Sequence, residues 1–101
     1  MNNEKMISQE NKELSILLMG RNGGRTTIRI IDEILVKPHN ANQLSNKLNL
    51  DYNTIIHHTN IMKEYEFITK NEIGKAFYFH PTDKLIKYID EYYTIKQKMQ
   101  I

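Results

Sequence analysis

A stretch of amide, imidazole and aliphatic side chains between residues 52 and 65 has the types and spacing needed to contact the edges of DNA bases. If this stretch is a helix of about 3.6 residues per turn, Asn53, Ile56, His57 and Asn60 share its outward face. Asparagine can bond adenine through N6 and N7, and isoleucine can cover the methyl group of thymine. Residues of the first turn commonly contact base edges or phosphates. The predicted DNA contacts on this helix are Tyr52, Asn53, Thr54, Ile56, His57 and Asn60.

The plainer interpretation of these side chains is a solvated polar face in an asparagine-rich chain. For any single residue the two interpretations are equally good, and the grouping on one helix favours contact. Glu64 fits contact least, because its carboxylate would be repelled by the phosphate backbone. It lies in the last turn, which can swing clear of the DNA.

Three cations outside this helix are candidates for contacts to phosphate. Arg25 lies near the start of another predicted helix, and Lys70 and Lys75 flank a predicted turn. The two lysines could equally be ordinary solvated residues. Residues 20–50 carry a net charge of +3, against +2 for the whole chain. This small basic patch predicts DNA binding that is moderate for each monomer and that weakens as salt is added.

Two short helices joined by a tight turn must hold the outward face in place, and residues 40–66 have that pattern. Asn40 is a good N-cap for the first helix, whose apolar residues recur at helical spacing. Asp51 is predicted to cap the second helix, where its charge also suits the positive end of the helix dipole. A further helix is predicted over residues 25–36, and Pro38 ends it.

The remaining elements flank this unit. Residues 67–80 predict two strands around a turn at Gly74, and such a small hairpin must lean on the helices.

Terminal helices are predicted over residues 6–19 and 82–99. The last one is apolar over half its circumference, interrupted only by Lys96, whereas docking on one core needs a stripe of roughly 100°. The apolar surface beyond that stripe predicts a homodimer, in which a second copy of the chain covers it. The predicted interface residues are Leu14, Leu17, Leu18, Leu85, Ile89, Tyr92, Tyr93 and Met99.

Composition narrows the class of protein. The chain has 101 residues and no cysteine, which predicts a single domain and excludes disulfides, thiolate metal sites and cysteine nucleophiles. No apolar run approaches the roughly 18 residues of a membrane span, and no signal peptide is recognisable, so we expect a cytoplasmic protein without membrane contact. No catalytic motif or cofactor-binding loop is present, and neither enzyme activity nor a cofactor is expected.

The adjacent residues His57 and His58 do not predict a metal site. Their side chains diverge by about 100° on a helix, so they cannot chelate one ion as a pair four residues apart does. His58 lies beside the inward face and is expected to be a half-buried packing residue with one hydrogen bond.

A family resemblance is carried by the run NANQLSNKLNLDYNTIIHHTNIMKEYEFITK, followed by GKAFYFHPT. These residues resemble the winged helix-turn-helix regulators of the ArsR-like type, particularly the small archaeal ones, over about residues 20–82. The resemblance implies a mainly α fold with a small β-hairpin wing at residues 67–80. It also implies that residues 52–65 are the recognition helix of a dimeric transcription regulator.

Two positions depart from the family pattern. Thr59 stands where members commonly have leucine, and its hydroxyl can bond back to the carbonyl of Ile55. Glu66 stands where members have glycine, which suggests a helix that runs on or ends less sharply. The metal-sensing members use cysteine-rich sites, so metal sensing of that kind is not carried over.

Two functions from different classes remain in view. The first is a sequence-specific transcriptional regulator that binds double-stranded DNA as a homodimer, with its two recognition helices in successive major grooves about 34 Å apart. The second is a winged-helix protein–protein interaction module without specific DNA binding, in which Ile56 and the tyrosines contact another protein. The weak positive charge and the acidic residues Glu64 and Glu66 favour the second. No effector can be inferred.

Overall fold

The computed structural model describes residues 12–101, which form six helices and one two-stranded antiparallel sheet. In chain order the elements are α1 (Lys12–Met19), α2 (Gly24–Val36), α3 (Ala41–Leu48), α4 (Tyr52–Glu64), β1 (Ile68–Ile73), β2 (Ala76–Pro81), α5 (Asp83–Lys87) and α6 (Ile89–Lys98). The central element is α2, which packs against α1, α3, α4 and β2. Ile28, Ile31 and Ile34 are buried on its inner face because they recur at helical spacing. Residues 6–11 of the predicted first helix lie outside the described residues.

The joint between α1 and α2 is a close backbone approach. A Cβ atom on Gly24 would lie 1.8 Å from the carbonyl oxygen of Leu18. The preceding residue, Gly23, has a φ of 92°, in the left-handed region that favours glycine. The two glycines therefore let the end of α1 lie directly against the start of α2.

Both ends of α3 and the start of α4 are built largely as predicted. The Asn40 side chain accepts a hydrogen bond of 2.8 Å from the Gln43 N–H, and the Gln43 side chain accepts one of 2.9 Å from the Asn40 N–H. This reciprocal pair is a capping box. At the other end of α3, Asn49 has a φ of 56°, a conformation that asparagine tolerates better than most residues. The prediction for Asp51 was wrong in one respect: it occupies the N-cap position of α4, but its exposed side chain makes no capping hydrogen bond.

The inner face of α4 contains Ile55, Thr59 and Met62, which are all fully buried. The Thr59 hydroxyl donates a hydrogen bond of 2.8 Å to the carbonyl of Ile55. The predicted bond to the preceding turn is therefore present. It satisfies a polar group that would otherwise be costly to bury.

The end of α4 corrects the expectation for Glu66. The Glu66 N–H bonds the carbonyl of Lys63 at 2.9 Å, and the Phe67 N–H bonds the carbonyl of Met62 at 3.0 Å. These are the two bonds of a Schellman motif, and they require Glu66 to adopt a φ of 66°. The helix ends sharply without glycine because these bonds, the burial of Phe67 and a bond from the Thr82 hydroxyl to the Glu66 carbonyl hold the chain in that turn.

The hairpin leans on the helices as expected. Its strands pair from Ile68 with Pro81 to Ile73 with Ala76, and Gly74 in the turn has a φ of 65°. The N–H of Phe79 donates a 2.8 Å hydrogen bond to the carbonyl of His39, just before α3. Phe79 is buried against the core, so the inner half of the hairpin is anchored and its tip extends into solvent.

The predicted last helix over residues 82–99 is interrupted at Tyr88, where φ is −105° and ψ is 24°. Thr82 caps α5 by accepting a bond from the Leu85 N–H. The two segments have different neighbours: α5 packs on β2, whereas α6 packs on α1. The break therefore lets Leu85 bury its side chain beside the hairpin and Tyr92 bury its own beside the helices.

Lys96, the one charge on the apolar half of this region, has a specific partner. Its ammonium group lies 2.7 Å from Asp32 Oδ2. The Tyr92 hydroxyl donates a 2.7 Å hydrogen bond to Asp32 Oδ1. Burial of the phenol, followed by its bond to the Asp32 carboxylate, raises the pKa of Tyr92. This network links α2 to α6 inside one chain.

Candidate nucleic-acid interface

The outward face of α4 is polar and exposed, as its residue spacing predicted. Asn53, His57 and Asn60 are exposed and follow one another at intervals of four and three residues, so they form a stripe along the helix. Tyr52 in the first turn is 49% exposed. Thr54 and Ile56 are half-buried at the edge of the stripe. The arrangement presents amide and imidazole hydrogen-bonding groups on a rigid helix, which is the chemistry that base edges require.

A groove of roughly 270 Å³ separates α4 from the hairpin, and we call it the α4–hairpin groove. Four of the predicted contact residues meet there: Tyr52, Ile56, Lys70 and Lys75. The groove is completed by Asn40, Ala41, Asn42, Ala76, Phe77 and Phe79. The tertiary structure thus brings cations of the hairpin beside the exposed face of α4.

Sequence reasoning missed Asn42 and Phe77 in this groove. Phe77 lies two residues before the buried Phe79, on the same face of β2, and is 49% exposed. The alternation of side chains along a strand could have indicated it. Asn42 carries an exposed amide in the first turn of α3.

Arg25 is not brought to the α4–hairpin groove. Its guanidinium donates a 3.0 Å hydrogen bond to the carbonyl of Met99, beyond the end of α6. Arg29, one turn later, donates a 2.9 Å bond to the carbonyl of Leu48 and so supports the C-terminus of α3. Both arginines therefore have contacts within the chain, and the predicted phosphate contact of Arg25 would require its bond to Met99 to break.

His58 is buried against the joint between α1 and α2. Its Nδ1 atom lies 3.4 Å from Arg21 Nη2 and 3.4 Å from the Thr27 hydroxyl oxygen. Arg21 Nη2 also donates a 2.9 Å bond to that hydroxyl. Burial lowers the pKa of His58, and the nearby positive charges of Arg21 and His57 lower it further. His58 is thus a packing residue, whereas His57 faces outward.

Comparisons with known proteins identify solved structures that have the same arrangement of helices and hairpin. Neither a protein-family model nor a curated protein sequence matches the chain. Its structure is similar to NolR from Sinorhizobium fredii, with a TM-score of 0.61, 14% identity and coverage of 94% of this chain and 93% of NolR. It is also similar to Mb0332 from Mycobacterium bovis, a homodimeric winged helix-turn-helix DNA-binding domain of a possible ArsR-family transcriptional regulator. That match has a TM-score of 0.64, 10% identity and coverage of 100% and 93%.

A third similar structure is the ArsR family transcriptional regulator RHA00566, with a TM-score of 0.54, 8% identity and coverage of 90% of this chain and 94% of that one. All three matches span nearly the whole of both chains, and at these identities the likeness shows the fold alone. The chain has the winged helix-turn-helix fold. In this fold, α3 and α4 form the helix-turn-helix, and α4 occupies the position of the recognition helix. The strands β1 and β2 form the wing.

The predicted dimer interface of this winged helix-turn-helix chain needs correction at five of its eight residues. These five are buried in the chain's own core: Leu14, Leu17, Leu18, Leu85 and Tyr92. They are used there because α1 packs against α2 and α6, and α5 packs against β2. Ile89 and Met99 are half-buried against the core, and Tyr93 is 50% exposed. Ile16 and Met19 on α1 and Ile86 on α5 add further exposed apolar side chains.

The winged helix-turn-helix chain shows no metal-binding group of three or more His, Cys, Asp or Glu residues within residues 12–101. His39 uses Nδ1 to donate a 2.8 Å hydrogen bond to the carbonyl of Lys37. No helix in the described part of the chain is long and apolar enough to span a membrane.

Proposed function

We propose that this chain is a sequence-specific DNA-binding transcriptional regulator that acts as a homodimer. The observation that carries the proposal is the exposed stripe of Asn53, His57 and Asn60 on the helix that occupies the recognition position, beside a groove with Lys70 and Lys75. The stripe supplies donors and acceptors for base edges, and the lysines supply charge for phosphates.

The small number of cations at this surface supports binding as a dimer. The α4–hairpin groove is lined by two lysines, and Arg25 is held at the end of α6. Each phosphate contact contributes to affinity mainly through the release of counterions, so one monomer with few contacts binds weakly. The similar protein Mb0332 is described as a homodimeric DNA-binding domain. A second copy of this chain would double the number of contacts.

The exposed apolar side chains of α1, α5 and α6 are the best candidates for the dimer surface. Ile16 is 49% exposed, Met19 48%, Ile86 50% and Tyr93 50%. Each exposes apolar area whose removal from water would favour association. We expect these four residues, with the half-buried Ile89 and Met99, to contact the partner.

Selection from random DNA duplexes at two salt concentrations would test the proposal. A regulator should enrich a palindrome whose half-sites lie about one helical turn apart, and its affinity should fall steeply as salt increases. Binding without enrichment would contradict the sequence-specific part of the proposal.

The double substitution Asn53→Ala with His57→Ala should abolish preference for the enriched site and leave the unfolding transition unchanged. Both side chains are exposed, so their removal leaves no cavity in the core. The matched control is Asn46→Ala, which removes an exposed amide of α3 on a different groove, beside Lys37 and His39. A double variant that binds like the parent would disprove the assignment of α4 as the reading element.

A specific observation favours the second candidate, a winged-helix protein–protein interaction module. Ile73 at the hairpin tip is 54% exposed, and Phe77 and Tyr52 are each 49% exposed near the same groove. Aromatic and aliphatic side chains of this kind are enriched at protein interfaces. Failure of the purified chain to bind any duplex at low salt would favour this function over the first.

A further inference from the structure

The α4–hairpin groove combines apolar walls with positive charge. Six of the ten residues that line it carry apolar or aromatic side chains, and the others are two asparagines and two lysines. No carboxylate therefore lies among the lining residues to balance Lys70 and Lys75. The ion pairs within residues 12–101 use other cations, namely His39, Lys47, Lys84 and Lys96. A groove of this composition attracts an anion that also carries apolar surface.

The aromatic side chains of the groove are only partly covered. Tyr52 and Phe77 are both half exposed, although each lines the groove. The Lys70 ammonium lies 4.8 Å from the centre of the Phe77 ring, within cation–π distance. This contact holds a positive charge against an aromatic wall. One small molecule can therefore cover apolar lining and pair with the ammonium at the same time.

Contact with the DNA backbone leaves the aromatic side chains without a role. A phosphate uses the lysines, but its charged oxygens gain nothing from Tyr52 or Phe77. The apolar surface of these two residues favours an occupant that removes it from water. The groove has a volume of roughly 270 Å³, just below the range of about 300–1,000 Å³ that is usual for small-molecule sites. An occupant with a single aromatic ring fits this size.

We propose that the α4–hairpin groove binds a small aromatic carboxylate, whose ring packs on the apolar lining at Tyr52 and Phe77 and whose carboxylate pairs with Lys70 and Lys75. The inference rests on the proposed function and deepens it by assigning a class of effector to the same surface. A ligand in the groove occupies the space between α4 and the hairpin and withholds the two lysines from phosphates. Ligand and DNA therefore exclude one another, and each lowers the affinity for the other by the same factor.

The first test measures ligand binding to the full chain without DNA. Benzoate is the probe, and the backbone amide signals of the ¹⁵N-labelled protein report where it binds. Signals of groove residues should shift and saturate with a Kd of about 1 mM, because a ligand of so few atoms binds weakly. Benzamide lacks the charge and cyclohexanecarboxylate lacks the aromatic ring, so each should bind at least about threefold more weakly.

Variants of the groove separate the two parts of the contact. Lys70→Gln should weaken benzoate and cyclohexanecarboxylate alike, by about threefold or more, and leave benzamide unchanged. Phe77→Leu keeps an apolar side chain but removes the ring, so it should weaken benzoate more than cyclohexanecarboxylate. The matched control is Lys98→Gln, an exposed lysine in the last turn of α6, which should change none of the three affinities.

The second test adds benzoate to the complex with the selected duplex, against sodium chloride at the same ionic strength. At ten times its Kd, benzoate should weaken DNA binding by about tenfold if the two exclude one another. Benzoate and duplex that bind together without mutual effect would overturn the exclusion.

The outcomes separate this inference from the function on which it rests. If the chain binds duplex DNA but benzoate shifts no groove signals, or binds Lys70→Gln and Phe77→Leu as it binds the parent, the ligand site is overturned and the proposed function stands. Equal affinity for benzamide would overturn the role of the lysines. If benzoate binds in the groove and no duplex binds at low salt, the proposed function fails and the ligand site stands.

Discussion

Polar residues that stand at apolar positions of this sequence each have an identifiable partner. Thr59 bonds the carbonyl of Ile55, Lys96 pairs with Asp32, and His58 lies against Arg21. Burying a polar group costs free energy unless the group is hydrogen-bonded or ion-paired. These partners therefore allow Thr59, Lys96 and His58 to occupy positions that face the core.

Glu66→Gly should stabilise the protein. Glu66 has a φ of 66° in the Schellman turn that ends α4, a conformation that costs an L-residue about 1 kcal/mol relative to glycine. We expect the free energy of unfolding to rise by about 0.5–1 kcal/mol in urea, since the flexibility of glycine in the unfolded chain offsets part of the gain. Glu66→Ala is the control, because alanine retains the Cβ atom. An equal gain in both variants would mean that the glutamate charge, and not the backbone, is unfavourable.

Stability should fall in mild acid because of His58. Its pKa is lowered below the ordinary 6.5 by burial and by the charges of Arg21 and His57. The unfolded chain therefore binds the proton more readily than the folded chain, and the free energy of unfolding falls as the pH drops from 6.5 towards the lowered pKa. Above pH 6.5 the residue is neutral in both states and has no such effect.

Urea unfolding of the parent and of His58→Gln across this pH range provides the measurement. The difference between them should narrow in acid, because the variant lacks the titrating group. His57→Gln, on the exposed side of the same helix, should keep most of the parent's pH dependence, because burial and Arg21 still lower the pKa of His58. A constant difference at all pH values would show that protonation of His58 is not coupled to folding.

At the scale of the elements, the turns at both ends of α3 and α4 determine how the outward face of α4 is presented. The capping box at Asn40 starts α3, the left-handed residue Asn49 ends it, and the Schellman turn at Glu66 directs β1 back beside α4. The hairpin is then anchored through the bond from Phe79 to the carbonyl of His39. These backbone contacts hold the hairpin beside α4, so the α4–hairpin groove depends on both elements and not on α4 alone.

Asn40→Ala should cost about 1 kcal/mol of stability, because it removes the side-chain acceptor of the α3 cap and leaves the Gln43 N–H without its bond. Thermal or urea unfolding monitored by circular dichroism would measure the loss. Asn42→Ala, which changes an exposed asparagine two residues further on, should leave stability within about 0.5 kcal/mol of the parent. Equal losses from the two substitutions would show that the capping box has no special contribution.

At the scale of the whole molecule, the surface available for the proposed dimer depends on which apolar side chains are already buried in the core of the chain. Tyr92 is fully buried and bonded to Asp32, whereas its neighbour Tyr93 is half exposed. A charge at position 92 would therefore unfold the core, and loss of the dimer in such a variant would not identify the interface. A charge at position 93 tests the interface without disturbing the core.

Tyr93→Glu should convert the proposed dimer into folded monomers, because a carboxylate would be placed in its apolar interface. Sedimentation or light scattering would give the mass, and circular dichroism would show that the helices remain. The matched control is Ile73→Glu at the hairpin tip, where a residue of similar exposure lies on a different surface. A Tyr93→Glu protein that keeps the parent mass would exclude this part of α6 from the interface.

The sequence by itself determined the features that depend on neighbouring residues. The bounds of α2, α3 and the hairpin, the cap at Asn40, the turn at Gly74 and the inward and outward faces of α4 all follow from periodicity and turn chemistry, which act over a few residues. The resemblance to winged helix-turn-helix regulators then implied the fold that the structure has.

Only the tertiary structure decided which half of an apolar helix is used internally and which charges meet. A helical wheel shows that residues 82–99 have surplus apolar surface, but it does not show that Tyr88 breaks the helix or that Tyr92 faces the core. Likewise, Asp32 of α2 meets Tyr92 and Lys96 of α6 because the chain brings these two helices together. Such contacts join separate elements, and their energies depend on distances that no local pattern in the sequence contains.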